Sequence, residues 1–250
     1  MLKFRLIARL DIKAPNLVKT VRLEGLRIVG DPAEYAARYD AEGIDEILYM
    51  DVVASLYRRN SLHDLVSRTA EDVFCPMTVG GGVRSVADAV ALLKAGADSV
   101  AVNTAAIERP ELITEIARHI GSQSVTLQLD AKRKGDGWEA YCDGGRQPTG
   151  KDAIAWAKEA AERGAGQILA TSIDQEGTRR GPDLGLASAT VSVVAAPVVL
   201  CGGMESPGDV IQAAVAGASG AAMAGALHYK RTSLKDIRAA LKAAGVPCRS

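Results

Sequence analysis

Short apolar runs alternate along this chain with amphipathic stretches. Runs at 5–11, 46–51, 76–80, 98–102, 124–130, 167–171, 197–201 and 219–224 are apolar almost throughout, the pattern of parallel strands buried on both faces. Between them PAEYAARYDAEG, VADAVALLKAG, DAIAWAKEAAERG and PGDVIQAAVAG carry apolar residues at helical spacing, which predicts helices laid against a sheet. Their ends are marked as well. Asp31 precedes Pro32, with Glu34 in the first turn, and Gly43, Gly96, Gly164 and Gly217 stand where helices close. Eight such β/α units in 250 residues match the TIM barrel in count and size, with a doubly wound sheet as the alternative.

The units fall into two sets. Asp11 to Asp130 spans 119 residues, while Ile47 to Ile168, Gly81 to Gly202 and Asn103 to Ala224 each span 121. Stacked repeats have periods of roughly 20 to 50 residues, so this offset describes a duplicated scaffold instead. Two like halves suit a closed barrel better than an open sheet. We therefore expect an α/β fold, a single (β/α)8 TIM barrel over residues 1–250, built from half-barrels at about 1–120 and 121–250.

Composition narrows the function. Lys plus Arg and Asp plus Glu number 30 each and aromatics are 4%, which argues against the basic surfaces and stacking platforms of nucleic-acid binders. The opening MLKFRLIARLD is too short and too charged for a signal peptide, and no apolar run reaches the ~18 residues of a membrane span. A soluble cytoplasmic protein is expected. Cys75, Cys142, Cys201 and Cys248 lack CxxC spacing and only three histidines occur, so neither a disulfide framework, a metal site nor a cofactor is expected.

In a β/α barrel the active site lies at the C-terminal ends of the strands. Asp11, Asp51, Gly81, Gly82, Asn103, Asp130, Thr171, Ser172, Asp174, Gly202, Gly203, Ala224 and Gly225 fall at such ends. The twinned glycines of VGGG and CGG each open a helix, where bare backbone amides and the helix terminus favour an anion. Alone, each is equally a tight turn. Repeated across the halves, and followed by the strand ends VNTAA and MAGAL, they suggest two phosphate sites on opposite sides of one mouth. Asp11 and Asp130 would face each other between them, one ionised and one protonated, as a general base and acid.

These residues carry a family resemblance. RLDIK with LVKTV, LYMDVVAS, TVGGGVRS, GADSVAVNTAA, IGSQSV, LDAKR, PTGKDAIAWAKEAAERGAG, LATSIDQEGT and AGASGAA resemble, in order, the cyclase subunit of imidazole glycerol phosphate synthase. The resemblance implies a lyase of histidine biosynthesis that uses ammonia from a separate glutaminase subunit. It would cleave a bis-phosphorylated aminoimidazole carboxamide ribonucleotide to imidazole glycerol phosphate and the aminoimidazole ribonucleotide. It further implies Asp11 and Asp130 as acid/base residues assisted by Lys19, with Gly82, Asn103 and Thr104 at one phosphate and Gly177, Gly203, Ala224 and Gly225 at the other. His63, His119 and His228 assemble no Cys-His-Glu glutaminase set with the four cysteines, so the ammonia donor is a second chain. A cyclase-like paralogue that channels ammonia to a surface-sugar precursor, a phosphosugar isomerase and a non-catalytic barrel are the alternatives.

The chain departs from that family at several positions. Arg9 stands where cysteine is usual, two residues before Asp11 and so on the same inward face. A buried guanidinium needs a carboxylate, and Asp11, Asp51 and Asp130 are within the same region of the barrel. The equivalent position before Asp130 is Gln128, so the two aspartates are expected to differ, with Asp11 the base and Asp130 the acid. At the opposite face the family has a ring of four charges that gates ammonia. Arg5 and Glu46 match it, while Ser99 and Gln167 replace a charged pair, which predicts a looser or differently built gate. Asp98 beside it matches an acid that faces the partner, or serves as a solvated strand start. Glu176 replaces an aspartate and Gly144 a small hydroxyl residue, and APNLVKTVRLEGLR is expected to be a loop.

Overall fold

The computed structural model describes residues 3–54 and 62–249; Ser55, which ends the LYMDVVAS stretch, lies outside them. Eight parallel strands form the barrel: β1 (Arg5–Lys13), β4 (Glu46–Asp51), β5 (Met77–Gly80), β6 (Ser99–Val102), β7 (Val125–Lys134), β10 (Gln167–Ser172), β11 (Val198–Cys201) and β12 (Gly220–Met223). Each pairs in parallel with its neighbours, and β7 with β10 closes the circle. The chain has the expected barrel fold.

Local sequence explains the outer layer. Helix α1 (Pro32–Ala41) begins where Asp31 accepts from the amides of Ala33 and Glu34, and α6 (Ala153–Glu162) is capped the same way by Asp152. Ser206, with Asp209, forms a complete capping box on α8 (Pro207–Val215). The other helices among the described residues are α2 (His63–Asp72), α3 (Val86–Lys94), α4 (Thr104–Glu108), α5 (Glu111–Ile120), α7 (Leu184–Val193), α9 (Gly225–His228) and α10 (Leu234–Ala243). Their apolar faces, Leu112, Ile113 and Ile116 of α5 for example, bury against outward strand residues in one continuous core. A second, smaller cluster of Ile7, Leu48, Met50, Ala101, Leu169, Val199, Cys201 and Ala222 fills the inside of the barrel.

The segment after β1 corrects an expectation. Residues expected to form a loop make an antiparallel hairpin, β2 (Asn16–Val21) and β3 (Glu24–Gly30), that continues the sheet from β1. Leu17, Val18 and Thr20 are buried, so this arm gains enough apolar contact to stay ordered. A like arm, β8 (Gly137–Cys142) and β9 (Gln147–Asp152), continues from β7. The two arms meet over the mouth: a methyl on Gly145 would stand 2.5 Å from Leu23 Cδ1.

Candidate active site

Two cavities open at the C-terminal ends of the strands, of about 600 and 520 Å³. The first is lined by Gly81, Gly82, Asn103, Thr104, Asp130, Gln128 and Arg9, with Asp51 and the cations Arg84 and Arg109. The second is lined by Lys19, Glu176, Gly177, Gly202, Gly203, Ala224 and Gly225, with Arg27, Arg179 and Arg231. The twinned glycines therefore lie in separate cavities, one from each half of the chain. Glycine is required there by shape: a Cβ at Gly203 would stand 2.1 Å from the Gly181 carbonyl oxygen, and one at Gly81 2.5 Å from that of Asp51. The basic rims are new relative to the sequence reading. Their signal was weak, since arginines at GGVR and GTRR look like ordinary turn residues.

Asp130 lies on the floor of the first cavity and is 0% exposed. Gln128 Nε2 donates to its Oδ1 at 3.2 Å and its Oδ2 at 3.0 Å, and Asn103 Nδ2 donates to Oδ2 at 3.0 Å. Burial pushes this carboxyl above its ordinary range, because the charged form has lost its water, and the Arg9 charge and the amide donors only partly restrain it. The neutral form is thus more favoured here than it is in water. Asn103 also donates to the Tyr141 carbonyl at 3.2 Å, so the second arm helps to aim the amide at Asp130.

Asp11 sits beside it in a different setting. Arg9 Nε donates to its Oδ1 at 2.8 Å, while Oδ2 is buried with no hydrogen-bond partner. Arg9 is itself 1% exposed. Burial works against its charge, yet Asp11 and then Cys201, Glu176 and Asp130 more than offset it and raise its pKa well above the ordinary value. Of the three carboxylates weighed from the sequence, Arg9 pairs with Asp11; Asp51 Oδ1 instead accepts from the Val53 amide at 3.0 Å.

Lys19 projects from β2 and donates to Glu176 and, at 2.9 Å, to the Thr20 carbonyl. Burial lowers its proton affinity but Glu176 and Asp11 outweigh it, so the ammonium is held. The turn that carries Glu176 grips the first arm by its backbone as well: Arg22 N–H donates to the Glu176 carbonyl at 2.8 Å.

Three residues expected at a phosphate line neither cavity. Thr171 Oγ1 accepts from Arg9 at 3.1 Å beneath the mouth. Ser172 is fully buried facing Asp183, and Asp174 accepts from the Arg133 amide at 2.8 Å. Alternation turns Ser172 away, since a strand offers only every second side chain to the interior, whereas Thr171 faces inward below the cavities and Asp174 lies beyond the end of β10. Thr104 borders the first cavity, with its hydroxyl accepting from the Asp143 amide at 3.0 Å.

At the N-terminal end of the barrel the polar positions form a hydrogen-bonded belt. Arg5 donates to Glu46 at 2.9 Å and to Gln167 Oε1 at 2.5 Å, and Gln167 Nε2 donates to Thr126 at 3.3 Å. Ser99 and Thr126 hydroxyls lie 3.3 Å apart, and Thr78 donates to Glu46 at 2.6 Å. Neutral groups thus stand where the resemblance implied a charged pair, and they stay connected to Arg5. Burial raises the Glu46 carboxyl, with Thr78 and Arg5 acting against it. Asp98 accepts from the Met77 amide at 2.8 Å, which ties down a strand start.

Comparison with known proteins agrees with this architecture. The family model described as "Histidine biosynthesis protein" matches residues 5–233. The imidazole glycerol phosphate synthase subunit HisF of Legionella pneumophila is 58% identical over 205 residues, covering 82% of this chain and 97% of that protein. The proteins of the same name from Myxococcus xanthus and Pyrococcus furiosus are 48% and 44% identical, each over 100% of this chain and 99% of their own length. With the barrel, the two cavities and the buried aspartates in place, these likenesses show that the chain belongs to the imidazole glycerol phosphate synthase cyclase subunit family.

Proposed function

We propose that the chain uses ammonia to convert the bis-phosphorylated aminoimidazole carboxamide ribonucleotide into imidazole glycerol phosphate and the aminoimidazole ribonucleotide, as a lyase of histidine biosynthesis. The observation that carries this is the placement of two buried aspartates with unlike donors between two cavities, each rimmed by glycine amides and arginines. A substrate with a phosphate at either end fits that plan. Gly81, Gly82, Asn103 and Thr104 would hold one phosphate; Gly177, Gly202, Gly203, Ala224 and Gly225 the other.

Forming a ring from ammonia and breaking a C–N bond each move protons. An attacking nitrogen must lose a proton and a leaving nitrogen must gain one. Asp11, held by a guanidinium, serves as base; Asp130, whose proton affinity burial raises, serves as acid. Lys19 keeps its charge near the reacting centre. A glutamine amidotransferase subunit would supply ammonia at the belt of Arg5, Glu46 and Gln167, in the cytoplasm. None of the described helices is long and apolar enough to cross a membrane.

The test is turnover of that ribonucleotide by the purified chain with ammonium salt. Imidazole glycerol phosphate should form without any glutaminase, and the gene should restore growth of a histidine auxotroph that lacks the cyclase. Failure to restore growth, or turnover unaffected by Asp11→Asn, would sink the reading.

A further inference from the structure

Arg9 is more tightly specified than an ion pair for the fold alone requires. Its Nε donates to Asp11, and Nη1 donates to Thr171 Oγ1 at 3.1 Å and to Cys201 Sγ at 3.4 Å, so β1, β10 and β11 together fix one guanidinium. An arginine that serves only to neutralise a carboxylate gains most from bidentate contact with both oxygens. Here one oxygen is taken and the other, Asp11 Oδ2, is buried without a donor. A buried acceptor left unsatisfied costs stability, so stability alone does not account for this arrangement. Arg9 also borders the first cavity, beside Asp130. The matching position on β7 carries the neutral amide of Gln128, which donates to both oxygens of Asp130.

We propose that Arg9 is a positioning residue of the reaction: clamped by Thr171 and Cys201, it fixes the orientation of Asp11 through one oxygen and sets it apart from Asp130, which neutral amides hold. This rests on the functional reading above. The groups that face Arg9 and Asp11 are Asp130 from β7, Cys201 from β11, Glu176 from the turn after β10, Lys19 from β2 and His228 from α9. Lys19 is already neutralised by Glu176. The Cys201 thiol, pushed up to about 11 chiefly by burial, and the neutral His228 carry no charge at pH 7. Arg9 bonds Asp11 directly and its charge also reaches Asp130.

Removing a cation makes neighbouring carboxyls hold their protons to higher pH. In Arg9→Gln the whole bell-shaped profile of kcat/KM should move to higher pH by about half a unit or more. At the optimum, kcat should fall about tenfold or more while KM stays within roughly twofold, the mark of an interaction made in the transition state. Arg9→Lys keeps the charge without the clamp, so it should leave the profile in place and recover part of kcat. An unmoved profile in Arg9→Gln with kcat intact, or lost activity with no displacement and no rescue by lysine, overturns the proposal. If Arg9→Gln does not fold, Arg9→Lys decides alone, because a displaced profile there is equally fatal. If even the parent fails to turn over, the functional reading falls instead, and carbon-13 titration of the carboxyls, assigned through Asp11→Asn and Asp130→Asn, still tests Arg9. Both resonances should titrate at higher pH in Arg9→Gln, and identical curves refute its role.

Discussion

Single side chains at the mouth carry unlike tasks although their strand positions match. Replacing Asp11 or Asp130 by asparagine keeps the shape of the side chain but removes proton transfer, a contribution of roughly 10²- to 10⁴-fold. Steady-state turnover with ammonium salt should fall by that order in each variant. His228 bears on stability instead. Its Nδ1 meets the Tyr39 hydroxyl at 2.6 Å, its ring stacks on Tyr39, and burial lowers its pKa to about 4. Such a histidine must gain a proton on unfolding, so its contribution is complete above the ordinary value of 6.5 and is lost as pH falls toward 4. Urea unfolding should show His228→Gln losing about 2–4 kcal/mol less than the parent across that window. The two aspartates were legible in the sequence because a strand end repeated at one offset singles them out. Treating a strand end as a stretch put Ser172 with Thr171, although adjacent residues on a strand face opposite sides and Thr171 is the one that faces the interior.

At the scale of elements, strands and helices of the barrel follow from apolar runs and caps, and they match closely. The arms do not. The turn between β2 and β3 places Arg22 and Leu23 at φ of 53° and 62°, the pair of positive angles that a two-residue hairpin needs and that Asn-Gly normally supplies. Neither residue advertises such a turn, so the arm reads as a loop, and only its burial against the barrel makes it ordered. Gly177 is the contact on which that docking depends, since a Cβ there would stand 2.6 Å from the Thr20 carbonyl oxygen and 2.9 Å from Val21 Cα. Both are backbone atoms that cannot turn aside. Gly177→Ala should push the first arm off its seat and lower kcat/KM about tenfold, or ~1.4 kcal/mol. Faster amide exchange at Val18 and Lys19, with unchanged exchange in β11 and β12, is the accompanying signature.

Across the whole molecule the barrel is polar at both ends and apolar between. The inner cluster separates the belt at Arg5 from the layer at Arg9, and this division could not be read from periodicity, because the inward face of a closed barrel and the outward face of its strands are both apolar runs. The belt explains how the charged pair that the resemblance implied could be replaced by Ser99 and Gln167 without a gap. Arg5 answers one carboxylate and one amide, and the two hydroxyls carry the chain of contacts onward. Arg5→Met would leave the Glu46 carboxyl with Thr78 as its remaining donor among the contacts described. Urea unfolding at pH 7 should report a loss of roughly 1–3 kcal/mol, moderated by the partial exposure of Arg5, and Glu46→Gln in the same background should recover part of it.

One feature of the arms reaches further. Each hairpin grows from the strand that bears an aspartate, and the pairing passes through the aspartate itself: Asp11 opposes Val18 of the first arm and Met50 of β4, and Asp130 opposes Tyr141 of the second arm and Thr171 of β10. The cover of the mouth and the reacting groups are thus hinged on common backbone. An arm that lifted would peel hydrogen bonds from one flank of its aspartate while the barrel kept the other, and so would slacken the carboxylate as well.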